Sequence, residues 1–143
     1  IAGQVLIYPG LGGDQGRGSH VTHADAPMLT RADIDFYAAV RFPAGQSGDG
    51  DATAKPLHDT DFSGLPPTVA IGAQCDPLSD DAAAYAARIR AAGGAALAWV
   101  EPGLVHAWLR ARGTVPRARA GFARIIAAIR ALADGHLPKA PEL

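Results

Sequence analysis

Short, nearly unbroken apolar runs alternate with stretches of helical periodicity along this chain. Gln4-Val5-Leu6-Ile7-Tyr8 stops at Pro9-Gly10. A run of this length without polar alternation suits a strand buried on both faces. Thr68 to Ala73, introduced by Leu65-Pro66-Pro67, and Ala95 to Val100 read the same way. The helical stretches lie between and after them. From Thr30 to Val40, Leu29, Ile34, Tyr37 and Val40 share a face, and Thr30 with Asp33 three residues on resembles a capping box. Ser79 can cap a second helix with Asp80 and Asp81 in its first turn, where acids suit the helix dipole. That helix runs through Tyr85 and Ile89 to a stop at Gly93-Gly94. Val115-Pro116 opens a last helix in which Phe122, Ile125, Ile126, Ile129 and Leu132 recur at steps of 3 and 4, ending near Gly135. Residues 10–18 hold five glycines and residues 44–56 are rich in Gly and Asp, so both are loops. Strand, loop and helix, then strand, helix, strand, helix predicts an α/β fold: parallel strands with covering helices.

Composition narrows the partners. The 143 residues suffice for one domain. Thirteen basic and 14 acidic side chains give a net charge of -1, and the arginines are scattered. Neither nucleic acid nor an anionic membrane is favoured as a partner. The arginines from Arg110 to Arg124 read as the solvated face of a helix. The one cysteine, Cys75, excludes an internal disulfide and fits a reducing, cytoplasmic compartment. No apolar run reaches the roughly 20 residues of a membrane span. The chain opens at Ile1 directly into a strand, as the later part of a longer polypeptide would.

The candidate chemistry lies where two of the strands end. Asp76 follows Cys75 at the close of the second apolar run, and Pro77 holds it in extended or turn geometry. His106 follows the third run beyond the turn expected at Glu101-Pro102-Gly103. Strand ends of a parallel sheet are where such folds place reacting groups. The 30-residue separation matches one helix and one strand, a crossover that makes the two ends neighbours. Asp76 then serves either as the partner that orients an imidazole or as the acceptor of an Asx-turn to Leu78 or Ser79. His106 serves either as a general base or as a packed loop histidine. Asp80 and Asp81 read as helix-start acids. His20 and His23 lack partners at metal-like spacing, so neither metal nor cofactor is expected. His58 and His136 read as surface residues, and Cys75 as a buried thiol without a cation to activate it.

A nucleophile is missing from this pattern. Gly45-Gln46-Ser47-Gly48-Asp49 approaches Gly-x-Ser-x-Gly but ends in Asp49 and follows a loop instead of a strand. Gly18-Ser19-His20 fails as well, and no His-Gly-Gly-Gly run is present to stabilise an oxyanion.

Several segments occur together in a recognisable order: Tyr8-Pro9, Met28-Leu29-Thr30-Arg31, Phe62-Ser63-Gly64-Leu65-Pro66-Pro67, Cys75-Asp76-Pro77-Leu78-Ser79-Asp80-Asp81, Tyr85-Ala86 through Ala91-Ala92-Gly93, and Gly103-Leu104-Val105-His106. Over nearly the whole chain this resembles the C-terminal half of a bacterial α/β-hydrolase of the hormone-sensitive-lipase type, the acetyl-esterase and carboxylesterase group. The resemblance implies a carboxylic-ester hydrolase with a Ser-His-Asp triad and a preference for short acyl chains, in which Asp76 is the acid and His106 the base. It also implies that residues 1–143 are the C-terminal portion of one catalytic domain, with 13–54 as a cap or pocket insertion. Trp108, Phe36 and Tyr37 become candidate pocket walls, with Phe42 beside them. The family's His-Gly-Gly motif and Gly-Asp-Ser-Ala-Gly elbow would precede Ile1, so the N-terminal half of the fold is the expected partner, besides a small-molecule ester. A hydrolase-like module without catalysis, binding or regulatory, is the alternative.

Overall fold

The computed structural model describes residues 1–142 and contains a three-stranded parallel sheet in the order β1-β2-β3. Strand β1 is Gln4–Ile7, β2 is Thr68–Cys75 and β3 is Ala96–Val105. Four α-helices accompany it: α1 (Ser19–Thr22), α2 (Arg31–Arg41), α3 (Ser79–Ala91) and α4 (Pro116–Ala133). Two 3-10 turns, Pro56–His58 and Trp108–Ala111, complete the order.

The alternation of side chains along each strand divides the core in two. Val69, Ile71, Ala73 and Trp99 pack with Ile125, Ala128 and Leu132 of α4 on one face. Ala96 packs on the other with Tyr85, Ala86 and Ile89 of α3 and with Leu57. The central strand, covered from both sides, is wholly buried from Thr68 to Ala73. This explains its unalternating apolar run. Each fully buried Ile or Val, such as Ile71 and Val69, contributes about 1.5–3 kcal/mol relative to an exposed side chain.

Two ends depart from the sequence reading. Glu101-Pro102-Gly103 is not a turn that ends β3. The strand continues to Val105, which pairs with Cys75 after a register shift between Ala73 and Cys75. The Gly103 amide donates to Gln74 Oε1 at 2.7 Å, and Pro102 has no amide to satisfy, so a bulge replaces the expected turn. Nor does Ser79 cap α3. Leu78 holds the cap position, and the first amides already have partners: Leu78 N–H donates to Asp76 Oδ1 at 2.9 Å and Ser79 N–H to the Asp76 carbonyl at 3.1 Å.

The capping box of α2 forms as its sequence predicts. Asp33 N–H donates to Thr30 Oγ1, and Thr30 N–H donates back to Asp33 Oδ2 at 2.8 Å. The Thr30 hydroxyl, which donates to Asp33 Oδ2 at 2.7 Å, and after it the Thr30 N–H hold the Asp33 carboxyl below the usual carboxylate range. Yet α2 buries none of its residues; Phe36 and Tyr37 stack edge to face on its open side. A second uncovered apolar region lies at the β1 edge, where Ala2, Val5, Ile129 and Leu132 line a groove of about 390 Å³. Among the described residues β1 pairs only with β2.

Arg124 departs from the solvated helix face expected of it. It forms a two-pronged ion pair with Glu101, Nε to Oε1 at 2.8 Å and Nη2 to Oε2. Glu101 is fully buried and also accepts from Trp99 Nε1 at 2.9 Å. The pairing raises the Arg124 pKa, against a smaller opposing effect of burial. Gly121, one turn earlier on α4, makes room for this cluster: a Cβ there would lie 2.8 Å from the Trp108 ring.

Candidate active site

The exits of β2 and β3 bring Asp76 and His106 into direct contact. His106 Nδ1 lies 2.8 Å from Asp76 Oδ2. Asp76 is fully buried, whereas the His106 side chain keeps 22% of its surface exposed. Both contacts form at once: one Asp76 oxygen accepts from Leu78 N–H and the other faces the imidazole. A buried carboxylate needs such partners. An ionised Asp76 can only accept, so Nδ1 carries the proton and Nε2 presents its lone pair. That arrangement suits taking a proton from a hydroxyl at Nε2 while the carboxylate stabilises the imidazolium.

Tyr8, the residue that follows β1, supports the ring. Its own ring meets His106 edge to face, with centroids 4.7 Å apart. The contact depends on an uncommon backbone, since Tyr8 has φ 39° and its N–H donates to the Ile71 carbonyl at 2.6 Å. A bulky residue in that region carries strain of roughly 1–3 kcal/mol. Burial raises the Tyr8 phenol pKa; Arg110 opposes this and Asp76 adds to it. Sequence reading gave Tyr8 no role, and nothing local marks it apart from the Pro9-Gly10 that follows.

The long excursion between β1 and β2 returns to the start of α3 and is clasped there. Ser19 Oγ donates to the Pro77 carbonyl at 2.7 Å and accepts from Asp80 N–H at 3.1 Å, while Ser19 N–H donates to Asp80 Oδ2 at 2.8 Å. Asp81 Oδ2 accepts from Leu11 N–H at 2.7 Å and Gly13 N–H at 3.3 Å. Only glycine fits at position 13, since a Cβ would lie 2.0 Å from Asp81 Oδ1. The two acids therefore do more than suit the helix dipole: they tie a distant loop beside the Asp76 turn. Ser19→Ala removes the side-chain partner of the buried Pro77 carbonyl and of the part-buried Asp80 N–H, and is expected to lower unfolding free energy by about 1–3 kcal/mol. Denaturant titration checks this, and a change below about 0.5 kcal/mol, typical of surface substitutions, contradicts the clasp.

A cavity of about 480 Å³ opens at His106. Its walls include Tyr8, Leu29, Ile34, Tyr37, Phe42 and Leu78. Of the expected wall residues, Tyr37 lines it. Phe36 faces solvent with 63% exposure and does not. Trp108 is 3% exposed and packs in the α4 core, with part of its surface on a shallower hollow shared by His106 and Met28. His58 reaches the Gly12 carbonyl at 3.0 Å, Cys75 is half-buried, and His136 is exposed. His20, set aside as a metal ligand for want of partners at metal-like spacing, is buried in the wall of the cavity. Among the described residues no cluster of three or more His, Cys, Asp or Glu could hold a metal ion, and no helix is long and apolar enough to cross a membrane.

The fold has counterparts among known proteins. A sequence profile described as the alpha/beta hydrolase fold matches residues 1–110. Carboxylesterase NlhH of Mycobacterium tuberculosis is 36% identical over 129 residues, covering 89% of this chain and 40% of its relative. The Pyrobaculum calidifontis esterase superposes with a TM-score of 0.81 at 28% identity, over 93% of this chain and 44% of that one. A bacterial heroin esterase gives a TM-score of 0.76 at 30% identity, over 91% and 42% respectively. The chain thus spans about 40% of the length of the curated relatives it matches. With that span understood, this chain belongs to the α/β-hydrolase fold family.

Proposed function

We propose that this chain carries the acid and the base of a carboxylic-ester hydrolase of the hormone-sensitive-lipase type. The observation that carries the reading is the 2.8 Å contact between His106 Nδ1 and a buried Asp76 oxygen, which leaves Nε2 beside a largely apolar cavity. In this reading a serine from the N-terminal half of the same fold lies against Nε2. His106 takes its proton as the hydroxyl attacks the ester carbonyl and returns it to the leaving alcohol, while Asp76 stays ionised. The uncovered β1 edge and the open face of α2 are the surfaces that half would cover, consistent with the share of the relatives' length that this chain spans.

Residues 13–54 act as the pocket insertion, with Tyr37 and Phe42 supplying apolar wall beside His106. Short-acyl esters are the proposed substrates by analogy with the carboxylesterase and ethyl acetate hydrolase relatives. A reducing, cytoplasmic setting is proposed on the single thiol. The full-length protein is expected to hydrolyse p-nitrophenyl acetate and butyrate, followed by p-nitrophenolate release. Release no faster than the buffer rate with both esters contradicts an esterase.

A further inference from the structure

Among the described residues, three that are not glycine adopt a left-handed backbone: Tyr8 with φ 39°, Met28 with φ 75° and Ala107 with φ 57°. All three border His106. Tyr8 meets its ring, Ala107 is the next residue in the chain, and Met28 and Ala107 line the same shallow hollow as His106. Such backbones persist only where the surrounding structure enforces them. Their concentration around one side chain points to a demand made by that side chain.

The demand is visible in what holds the imidazole. Among the described residues its hydrogen bond is the one from Nδ1 to Asp76 Oδ2, and 22% of the side chain stays exposed. One such bond fixes a nitrogen but lets the ring swing about it, and the direction of Nε2 swings with the ring. Tyr8 supplies a second restraint. Its ring meets both the imidazole and the Trp108 indole edge to face, with centroids 4.7 and 6.2 Å apart. Trp108 is 3% exposed and packs with Ala118, Ile125 and Ala128 of α4, so the Tyr8 ring leans on the buried core. Its backbone is anchored as well, since Tyr8 N–H donates to the Ile71 carbonyl of β2 at 2.6 Å. Returning φ to the extended range would rotate the Cα–Cβ bond and carry the ring off the imidazole.

We propose that Tyr8 is a positioning residue for His106: its ring, braced by Trp108, keeps Nδ1 on Asp76 and Nε2 toward the cavity, and its left-handed backbone is strain retained to aim that ring. The inference rests on the ester-hydrolase reading for its kinetic consequence, and on the contacts of this chain alone for the restraint itself. The planar ring carries the effect, and the phenol hydroxyl takes no part. Tyr8 also lines the cavity, so two roles must be told apart. A wall residue acts on KM, whereas a positioning residue acts on kcat.

The test uses Tyr8→Ala, Tyr8→Gly, Tyr8→Leu and Tyr8→Phe in the full-length protein with p-nitrophenyl butyrate. Tyr8→Ala and Tyr8→Gly are expected to lose about 10- to 100-fold in kcat, the scale of a small misplacement of a reacting group, with KM within about threefold. Tyr8→Phe restores the ring and is expected to recover kcat to within about threefold of wild type. Tyr8→Leu keeps apolar bulk without a planar face; it falls below Tyr8→Phe and covers the case in which the smaller variants do not fold. The strain is read separately by melting. Glycine in an ordinary extended position is less stable than alanine, but at φ 39° the order reverses, so Tyr8→Gly should melt above Tyr8→Ala. A third reading needs no turnover: NMR of the His106 Nδ1–H, whose exchange with water reports how long the ring stays on Asp76. Exchange is expected to quicken by about tenfold or more, the scale of one lost restraint, in Tyr8→Ala and to be restored in Tyr8→Phe. That result supports the restraint even if every ester is left intact, which would sink the hydrolase reading only. Equal exchange in wild type and Tyr8→Ala, an effect confined to KM, or a loss in Tyr8→Phe as large as in Tyr8→Ala overturns the proposal.

Discussion

His106→Ala in the full-length protein is expected to lower kcat for p-nitrophenyl butyrate by about four to six powers of ten, to the level supported by binding and oxyanion contacts alone. Tyr8, the aromatic neighbour of His106, cannot take over as base, since burial raises its phenol pKa and it stays protonated at neutral pH. Asp76→Asn should cost about 10⁴ by a different route. Asn Oδ1 can still accept from Leu78 N–H, so the turn survives. The amide then presents N–H toward Nδ1, which must become an acceptor, and the proton moves to Nε2 where the base is needed. The fold stays intact while the imidazole is held in the wrong tautomer. Circular dichroism and unfolding curves separate this from simple destabilisation: both variants should keep a cooperative transition. Activity within tenfold of wild type in either variant would remove that residue from the mechanism.

Arg124→Ala is expected to destabilise the fold by about 3–5 kcal/mol, the cost of leaving a buried charge without its partner. Glu101 is fully buried, and its carboxylate would keep only the Trp99 indole N–H as a donor. The loss is felt between β3 and α4, since these two residues bridge the elements. The pair itself need not stabilise strongly against an apolar substitute. Glu101→Leu combined with Arg124→Met should therefore recover most of what Arg124→Ala loses. Urea unfolding of the single and double variants reads both effects. A loss under about 1 kcal/mol for Arg124→Ala would show that the carboxylate finds other solvation.

The parts of this molecule visible in its sequence are those governed by short-range pattern. The apolar runs around Val69-Ala70-Ile71 and Leu97-Ala98-Trp99 mark strands because both faces of the sheet are covered. The Thr30–Asp33 box announces α2 within four residues. Asp76 and His106 are legible because each follows an apolar run, and consecutive parallel strands bring their ends together. What escaped the sequence is decided by partners far along the chain. Pro102-Gly103 carries a turn signal, but a side chain 29 residues away satisfies the Gly103 amide and the strand continues. Asp80 and Asp81 look like helix-start acids until loop amides 61 to 70 residues upstream reach them. Arg124 lies on the same helix as the exposed Arg117, Arg119 and Arg130, and only the buried carboxylate on β3 distinguishes it. His20, just beyond the glycine-rich residues 10–18, gives no local sign of its burial.

The most direct measurement is a crystal structure of the full-length protein after reaction with a p-nitrophenyl alkylphosphonate, which forms a stable adduct on an activated serine. The labelled Oγ is expected within about 2.6–3.2 Å of His106 Nε2, with Asp76 still on Nδ1. Phosphonate attached to a residue out of reach of that nitrogen, or a ring turned from Asp76 in the adduct, would contradict the assignment of these two side chains.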